Sequence, residues 1–398
     1  MQSLVILGRQ PALGLAELES LLGSSNVIPA GNQAALLDVA VEDIPFTRLG
    51  GALKLCKVLS ILPSTQWRVL EKHLMKIVPS HIEELPIGKL QLGLSVQGFD
   101  VTTAQLEATG LNIKKVIRRH GRSVRLVPNH NLELNSAQIH FNKLTGPTGL
   151  ELVITRDIDR TVIAQTIFYQ DIQSYTFRDR ERPKRDARVG MLPPKLAQTI
   201  INLATGSLVN NMTPPQCILD PFCGTGVLLQ EAELMGYQAY GTDLEQRMID
   251  YSEANLQWLT EHYKLLAPQP KLHLGDATRY TWEMPVTYIA GETYLGKPFT
   301  RPPEPEALAQ TVADCNLIIK KFLRNIFDQV PSGTRFCLAV PAWSTPNSHE
   351  KFKLLPLIDQ IGDLGYNRVS FEHAENDELI YFRPDQFVAR QLLVISKK

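Results

Sequence analysis

The sequence has no apolar run approaching the ~20 residues that cross a bilayer as a helix, so no helical membrane span is expected. Cysteine is scarce too. Cys56, Cys217, Cys223, Cys315 and Cys337 are odd in number, scattered, and include no Cys-x-x-Cys pair. That pattern argues against a disulfide framework or a metal site and for a reducing, cytoplasmic setting. The N-terminus carries a strand-like Leu4 to Leu7 with neither a basic leader nor a cleavage site, so no export signal is expected. Excess charge is missing as well: 41 basic residues balance 41 acidic ones, and no overall field draws the chain to nucleic acid. Any such contact must come from segregated patches. There is no internal repeat and no low-complexity stretch. What is present is a globular composition over 398 residues, too long for one ordinary core, so two or three domains are expected.

The most informative stretch runs from Ile218 to Gly226 (ILDPFCGTG). An apolar run stops at Asp220, then Pro221, Phe222, Cys223, Gly224, Thr225 and Gly226 make a glycine-rich turn into a helix beginning near Val227. A second strand, Gln238 to Asp243, also closes on an acid. Two acidic strand ends around a tight turn can hold an adenosine-bearing cofactor on an open parallel sheet. The glycines let backbone approach the ligand, and a carboxylate can take both ribose hydroxyls. A nicotinamide cofactor is the competitor, but its fingerprint wants a third glycine where this chain has Leu229. The bland alternative is a strand-turn-helix with no ligand. The Asp-Pro-Phe-Cys-Gly-Thr-Gly turn resembles the S-adenosylmethionine motif of class I methyltransferases that act on exocyclic amines of nucleic acids.

Along the chain, residues 1–64 read as strand, helix (Leu13 to Leu22), strand (Ala35 to Val39) and a helix-like stretch from Thr47 to Leu62. Residues 65–169 supply a helix (Trp67 to Val78), a strand (Leu90 to Val96), a helix from Thr103 reaching toward Arg119, and paired strands near Glu151 and Thr161. Residues 170–191 are polar, basic and proline-interrupted, a linker by composition. Residues 192–398 alternate helix and strand as a doubly wound sheet requires. There, Lys351 to Gly362 reads as a helix, and Val388 to Ser396 as a last, antiparallel strand.

With these motifs in order, the chain resembles, over nearly its whole length, the THUMP-bearing tRNA guanine-N2 methyltransferases that act on guanosine 10. The resemblance implies an α/β protein: a class I, Rossmann-like methyltransferase domain (192–398) preceded by α+β modules. Those are an N-terminal ferredoxin-like segment (1–64) and a THUMP RNA-binding domain (65–169), joined by the linker 170–191. It implies S-adenosylmethionine as cofactor and tRNA as partner, with room for a small activator protein. Asp243 and the adjoining Leu244 would serve the ribose, Asp220 and the turn to Gly226 the methionyl end, and Asp276 with Ala277 the adenine; Glu245 is an alternative to Asp243. In that family the fourth strand ends in Asp-Pro-Pro-Tyr. Here the place is taken by Gly291-Glu292-Thr293-Tyr294.

A guanine amine is a poor nucleophile because its lone pair is delocalised into the ring. Acceptors for its N–H groups and an aromatic stacked on the base would turn that lone pair toward the methyl donor. Glu292 can be the side-chain acceptor, Thr293 keeps a backbone carbonyl, and Tyr294 can stack. The bland readings are a solvated acid and a packing aromatic. For RNA, Lys114, Lys115, Arg118, Arg119, Arg122 and Arg125 form a basic run with no acid among them, suited to phosphate contact. Arg178 and Arg182 of the linker are a second candidate surface, diluted by Asp179, Glu181 and Asp186. Adenine N6 or another RNA base is the alternative target, and a non-catalytic RNA-binding protein the alternative class.

Overall fold

The computed structural model describes residues 2–186, 191–207, 216–265, 270–283, 285–297, 299, 303–344 and 351–398. Contacts divide the chain into two units. One comprises Met1–Pro11, Ser25–Thr47 and Ala52–Gln173; the other, Ala12–Ser24, Arg48–Gly51 and Ser174–Lys398. All five cysteines are buried and unpaired.

The first unit is built on one eight-stranded sheet. Its strands are β1 (Ser3–Leu7), β2 (Val27–Ala30), β3 (Ala34–Leu37), β4 (Ala52–Leu62), β5 (Leu90–Gln97), β6 (Val124–Leu126), β7 (Gly149–Arg156) and β8 (Thr161–Tyr169). They lie in the order β2-β3-β1-β4-β8-β7-β5-β6. The expected boundary at residue 64 therefore falls just after β4, in the middle of a shared sheet, and residues 1–64 and 65–169 are not separate bodies. The helix expected over Thr47 to Leu62 is instead the end of a 3-10 turn, Phe46–Arg48, followed by the strand β4 from Ala52. A helical reading keeps its lysines in water; in the strand, Lys54 is buried against Glu151, 2.6 Å away. Ser95 and Thr166 donate to the same carboxylate, so the ion pair is fully hydrogen-bonded in the interior.

The chain's first helix, α1 (Pro11–Leu22), belongs from Ala12 onward to the second unit. In the first unit α2 (Trp67–Glu83) and α3 (Thr103–Arg119) cover one face of the sheet. Leu70, Leu74, Leu106, Ile113 and Ile117 pack there on Leu92, Leu94, Leu152 and Ile163. Thr102 caps α3 in a capping box with Gln105. The short α4 (Ser136–Phe141) completes the unit.

The presumed linker 170–191 is partly helical: α5 (Ile172–Arg180) lies within it, mostly in the second unit, and residues 187–190 lie outside the described ones. Then come α6 (Pro194–Thr205), β9 (Cys217–Asp220), α7 (Val227–Leu234), β10 (Gln238–Asp243), α8 (Gln246–Tyr263), β11 (Lys271–Leu274) and β12 (Tyr288–Glu292). After α9 (Pro305–Phe327) follow β13 (Arg335–Ser344), β14 (Phe352–Lys353), β15 (Tyr366–Arg368), β16 (Ile380–Tyr381) and β17 (Val388–Lys397). The sheet runs β11-β10-β9-β12-β13-β17-β15. β9 to β13 are parallel, and β17 is antiparallel to β13, as the sequence suggests. The helix expected over Lys351 to Gly362 is a 3-10 segment, Pro356–Leu364. Pro356 holds Leu355 in an extended conformation, so no α-helix can run through that point.

α1 is fastened by a buried carboxylate. Glu17 accepts the amide N–H groups of Gly50 (2.9 Å) and Gly51 (2.8 Å) and the Asn202 side-chain amide (2.8 Å). A Cβ at Gly50 would lie 2.0 Å from the Lys195 carbonyl, so only glycine allows that approach.

Candidate active site

From β9 the sheet steps outward to β10 and β11, then returns to β12 on the other side of β9. Such a reversal opens a crevice at the carboxyl ends of the strands. Asp220 ends β9, Asp243 ends β10 and Glu292 ends β12, so three carboxylates from distant parts of the sequence gather at one edge of the sheet.

The turn after β9 is held from several sides. Gly224 and Gly226 take positive φ values of 53° and 77°, the left-handed region that glycine tolerates. A Cβ on Gly226 would lie 2.9 Å from Ser252 Oγ of α8. The Gly224 N–H donates to Asp243 Oδ2 (2.9 Å), and the Glu245 N–H to Asp243 Oδ1 (3.0 Å). Asp243 thus clamps the turn to the end of β10, leaving its remaining lone pairs for a ligand. Ser252 donates to the Gly224 carbonyl (2.8 Å) and Asn255 to that of Thr225 (2.8 Å). The Phe222 N–H donates to Asp220 Oδ1 (3.1 Å), and Thr242 donates to the Pro221 carbonyl (3.2 Å).

Burial pushes Asp220 well above the usual carboxylate range, and the like charges of Asp243 and Glu292 add to the effect. Asp243 is raised as well, chiefly by burial. A site of crowded carboxylates favours a cationic guest over an anionic one. Burial also pushes the Cys223 thiol well up, with Asp220 and Asp243 reinforcing it, so Cys223 is a filler of the turn and no nucleophile.

The residues expected to grip an amine have distinct environments. Glu292 is bound to Arg390 of β17, with Nε to Oε1 at 2.5 Å and side chains 14% and 7% exposed. Burial raises its pKa, and Arg390 opposes the shift. Thr293 is buried, its N–H bonded to the Ala339 carbonyl (3.0 Å), and Tyr294 is exposed. A Cβ on Gly291 would lie 2.5 Å from Asp220 Oδ1, so the missing side chain there makes room for Asp220. Asp276 closes its own turn, accepting from the Thr278 N–H (2.9 Å) and hydroxyl (2.8 Å), which holds its pKa down. Ala277 packs in the core and Leu244 is exposed.

Two expectations for RNA contact are overturned. Arg178 is buried in a two-bond ion pair with Glu231 (2.6 and 3.2 Å) and also donates to Ser174. Arg182 is 2% exposed, with Asp179 3.9 Å away. Neither side chain is presented to a partner: Arg178 of α5 is turned onto the buried Glu231 of α7, and Arg182, just past α5, is buried as well. Arg122 is also diverted: its guanidinium donates to the carbonyls of Ile82, Leu85, Pro86 and Gly88, closing the end of α2. Lys115, Arg118, Arg119 and Arg125 are exposed and Lys114 half-buried, on the side of α3 and β6 away from Ile113 and Ile117.

Sequence reasoning missed Arg390, Ser252 and Asn255. Arg390 had a signal: a cation inside the apolar run from Val388 to Ile395 needs a buried partner.

Comparison with known proteins places this geometry. The solved structure of TrmN from Thermus thermophilus matches with a TM-score of 0.53 at 14% identity, covering 100% of both chains. That of a possible methylase from Clostridium difficile 630 matches with a TM-score of 0.51 at 12% identity, covering 98% of this chain and 97% of that one. The chain shares the fold of these solved structures, with a Rossmann-like sheet in its second unit. More particularly, it is 29% identical over 152 residues to a tRNA (guanine(10)-N2)-dimethyltransferase of Methanothermobacter thermautotrophicus, covering 38% of this chain and 39% of that protein. It is 33% identical over 111 residues to the protein of the same name from Pyrococcus abyssi, covering 28% of this chain and 30% of that one. The chain thus spans well under half the length of these curated relatives. A family profile described as DNA methylase matches residues 161–269. Among the described residues, no helix is long and apolar enough to cross a membrane, and no cluster of metal ligands occurs.

Proposed function

We propose that the protein is an S-adenosylmethionine-dependent tRNA methyltransferase that places a methyl on the exocyclic N2 of a guanosine, guanosine 10 being the position named for its relatives. The observation that carries the reading is the glycine turn clamped by Asp243 beside the carboxylates of Asp220 and Glu292, at the reversal point of the sheet. The residues suit the cofactor: a crowded acidic site complements a sulfonium and an ammonium group, and a side-chain-free turn admits a close ligand. When bound, the cofactor supplies an electrophilic methyl group.

Asp243, with Glu245 and Leu244 beside it, serves the ribose; Asp220 and residues 221–226 serve the methionyl end. Asp276 serves the adenine; its Oδ1 accepts from Thr278 and its Oδ2 lies 3.3 Å from Nε of the exposed Arg279, which would have to share it. The protein's part in transfer is positional. Glu292 and a backbone carbonyl of residues 291–293 accept from the amine N–H groups, and Tyr294 stacks on the base. These groups would aim the nitrogen lone pair at the methyl group the cofactor would supply, and the proton lost from N2 would pass to solvent water.

In this reading the first unit carries the ferredoxin-like and THUMP modules and offers Lys114, Lys115, Arg118, Arg119 and Arg125 to tRNA phosphates in the cytoplasm. A small activator protein can join the complex. The DNA methylase match favours a second reading, an adenine N6 target in nucleic acid. Labelled S-adenosylmethionine with total tRNA, followed by nucleoside mass spectrometry, decides. N2-methylguanosine is expected, and N6-methyladenosine instead would replace the first reading by the second.

A further inference from the structure

We infer that Arg390 and Glu292 act as one unit that selects guanine: Arg390 is a positioning residue that keeps the Glu292 carboxylate an acceptor-only group facing the base. The inference rests on the reading of the crevice as a nucleobase amine site and names what sets its base preference.

The geometry is particular. Glu292 is the last residue of β12, whose neighbours are β9 and β13. Arg390 stands beyond β13 on β17, opposite Pro341. Its guanidinium reaches back to Glu292 Oε1, with both side chains largely buried. The charged groups that face Glu292 are Arg390 from β17 and Asp220 from β9; Asp243 of β10 acts in turn on Asp220. Arg390 is the cation among them. Without it, burial and a neighbouring acid would both favour a protonated Glu292.

Protonation matters because it changes what the group can recognise. An ionised carboxylate only accepts hydrogen bonds, whereas a carboxylic acid or an amide also donates. Guanine presents two donors side by side, N1–H and the N2 amine. Adenine presents an acceptor, N1, beside its N6 amine, and cytosine an acceptor, N3, beside its N4 amine. Arg390 uses one lone pair of Oε1, and the others can meet the donor pair of guanine. The same oxygens face a lone pair when adenine or cytosine enters. A site of polar groups built for one hydrogen-bond pattern rejects the wrong one strongly, because its own groups are left unpaired.

The test is single-turnover methyl transfer from S-adenosylmethionine to total tRNA between pH 5.5 and 9, with S-adenosylhomocysteine binding measured alongside. Wild type is compared with Arg390→Gln, Arg390→Lys and Glu292→Gln. In Arg390→Gln the acid limb of the rate profile should move up by at least one pH unit. S-adenosylhomocysteine affinity should stay within twofold, and Arg390→Lys should restore the limb. Glu292→Gln should lose about 100-fold or more in rate with no acid limb, as expected when a required partner is removed. A tRNA carrying 2-aminopurine at the position wild type labels keeps the N2 amine but has an acceptor at N1. Wild type should reject it, and Glu292→Gln should accept it better relative to guanine. An acid limb unmoved in Arg390→Gln, with rate lost equally at every pH, would make the pair structural and overturn the inference. So would equal use of 2-aminopurine and guanine by wild type. A wild type that binds S-adenosylhomocysteine yet methylates no RNA overturns the underlying reading first, and this inference with it.

Discussion

Glu233 on α7 is 4% exposed, and neither carboxylate oxygen has a hydrogen-bond partner among the described residues. Burial alone lifts its pKa from 4.5 to about 7. The folded state therefore holds the proton more tightly than the unfolded chain does. Below 4.5 both states are protonated and nothing is lost. As pH rises from 4.5 to 7 the unfolded chain releases the proton first, and stability falls. At roughly 1.4 kcal/mol per pH unit, the loss is about 3 kcal/mol once pH exceeds 7. Glu233→Gln keeps the volume and removes the titration. Urea unfolding read by tryptophan fluorescence in a Trp67→Phe background reports the second unit, where Trp258, Trp282 and Trp343 lie. The stability difference between Glu233→Gln and its parent should grow in favour of glutamine by about 3 kcal/mol between pH 4.5 and 8. A difference constant across that range would refute the reasoning, since it would mean that Glu233 has a partner for its charge.

Arg178→Ala should destabilise the second unit by about 3–5 kcal/mol, the cost of leaving Glu231 buried without its cation; unchanged urea midpoints would contradict the buried pair. Replacing Lys114, Lys115, Arg118 and Arg119 together by alanine should leave stability nearly unchanged. It should weaken tRNA binding and flatten its salt dependence, measured by fluorescence anisotropy at several ionic strengths. Gly226→Ala should reduce S-adenosylhomocysteine affinity at least tenfold by calorimetry, because the new methyl meets Ser252 in a backbone conformation that alanine resists. Cys223 should resist iodoacetamide in the folded protein while reacting freely in urea.

Local pattern made the second unit readable. The acid-glycine turn, the alternation of helix and strand, and the antiparallel last strand all depend on short-range chemistry, and the structure has them close to where the sequence puts them. What stayed hidden depends on partners far along the chain. The stretch from Thr47 to Leu62 looked helix-like because the buried partner of Lys54, Glu151, is 97 residues away. Arg178 looked like an RNA contact because Glu231, 53 residues on, is invisible to composition. The Glu292 environment was hidden for the same reason, since Arg390 lies 98 residues beyond it. Asp276 shows the other limit: the sequence marks it as an adenine ligand, and only the structure shows that one of its oxygens also closes a turn on Thr278.

The fastening of α1 has a consequence for how the protein is made and cut. Residues 12–24 leave the ribosome long before Asn202 and the amides of Glu372 and His373 that Glu17 and Glu19 hold. Glu17 must wait for Asn202, halfway along the polypeptide, and Glu19 until nearly all of it has been synthesised. A C-terminal fragment expressed from residue 192 onward would lack both that helix and Gly50-Gly51, stripping an apolar and polar seam bare. A workable dissection would have to carry residues 12–24 and 48–51 along with the C-terminal half, as a covalent graft or an added peptide.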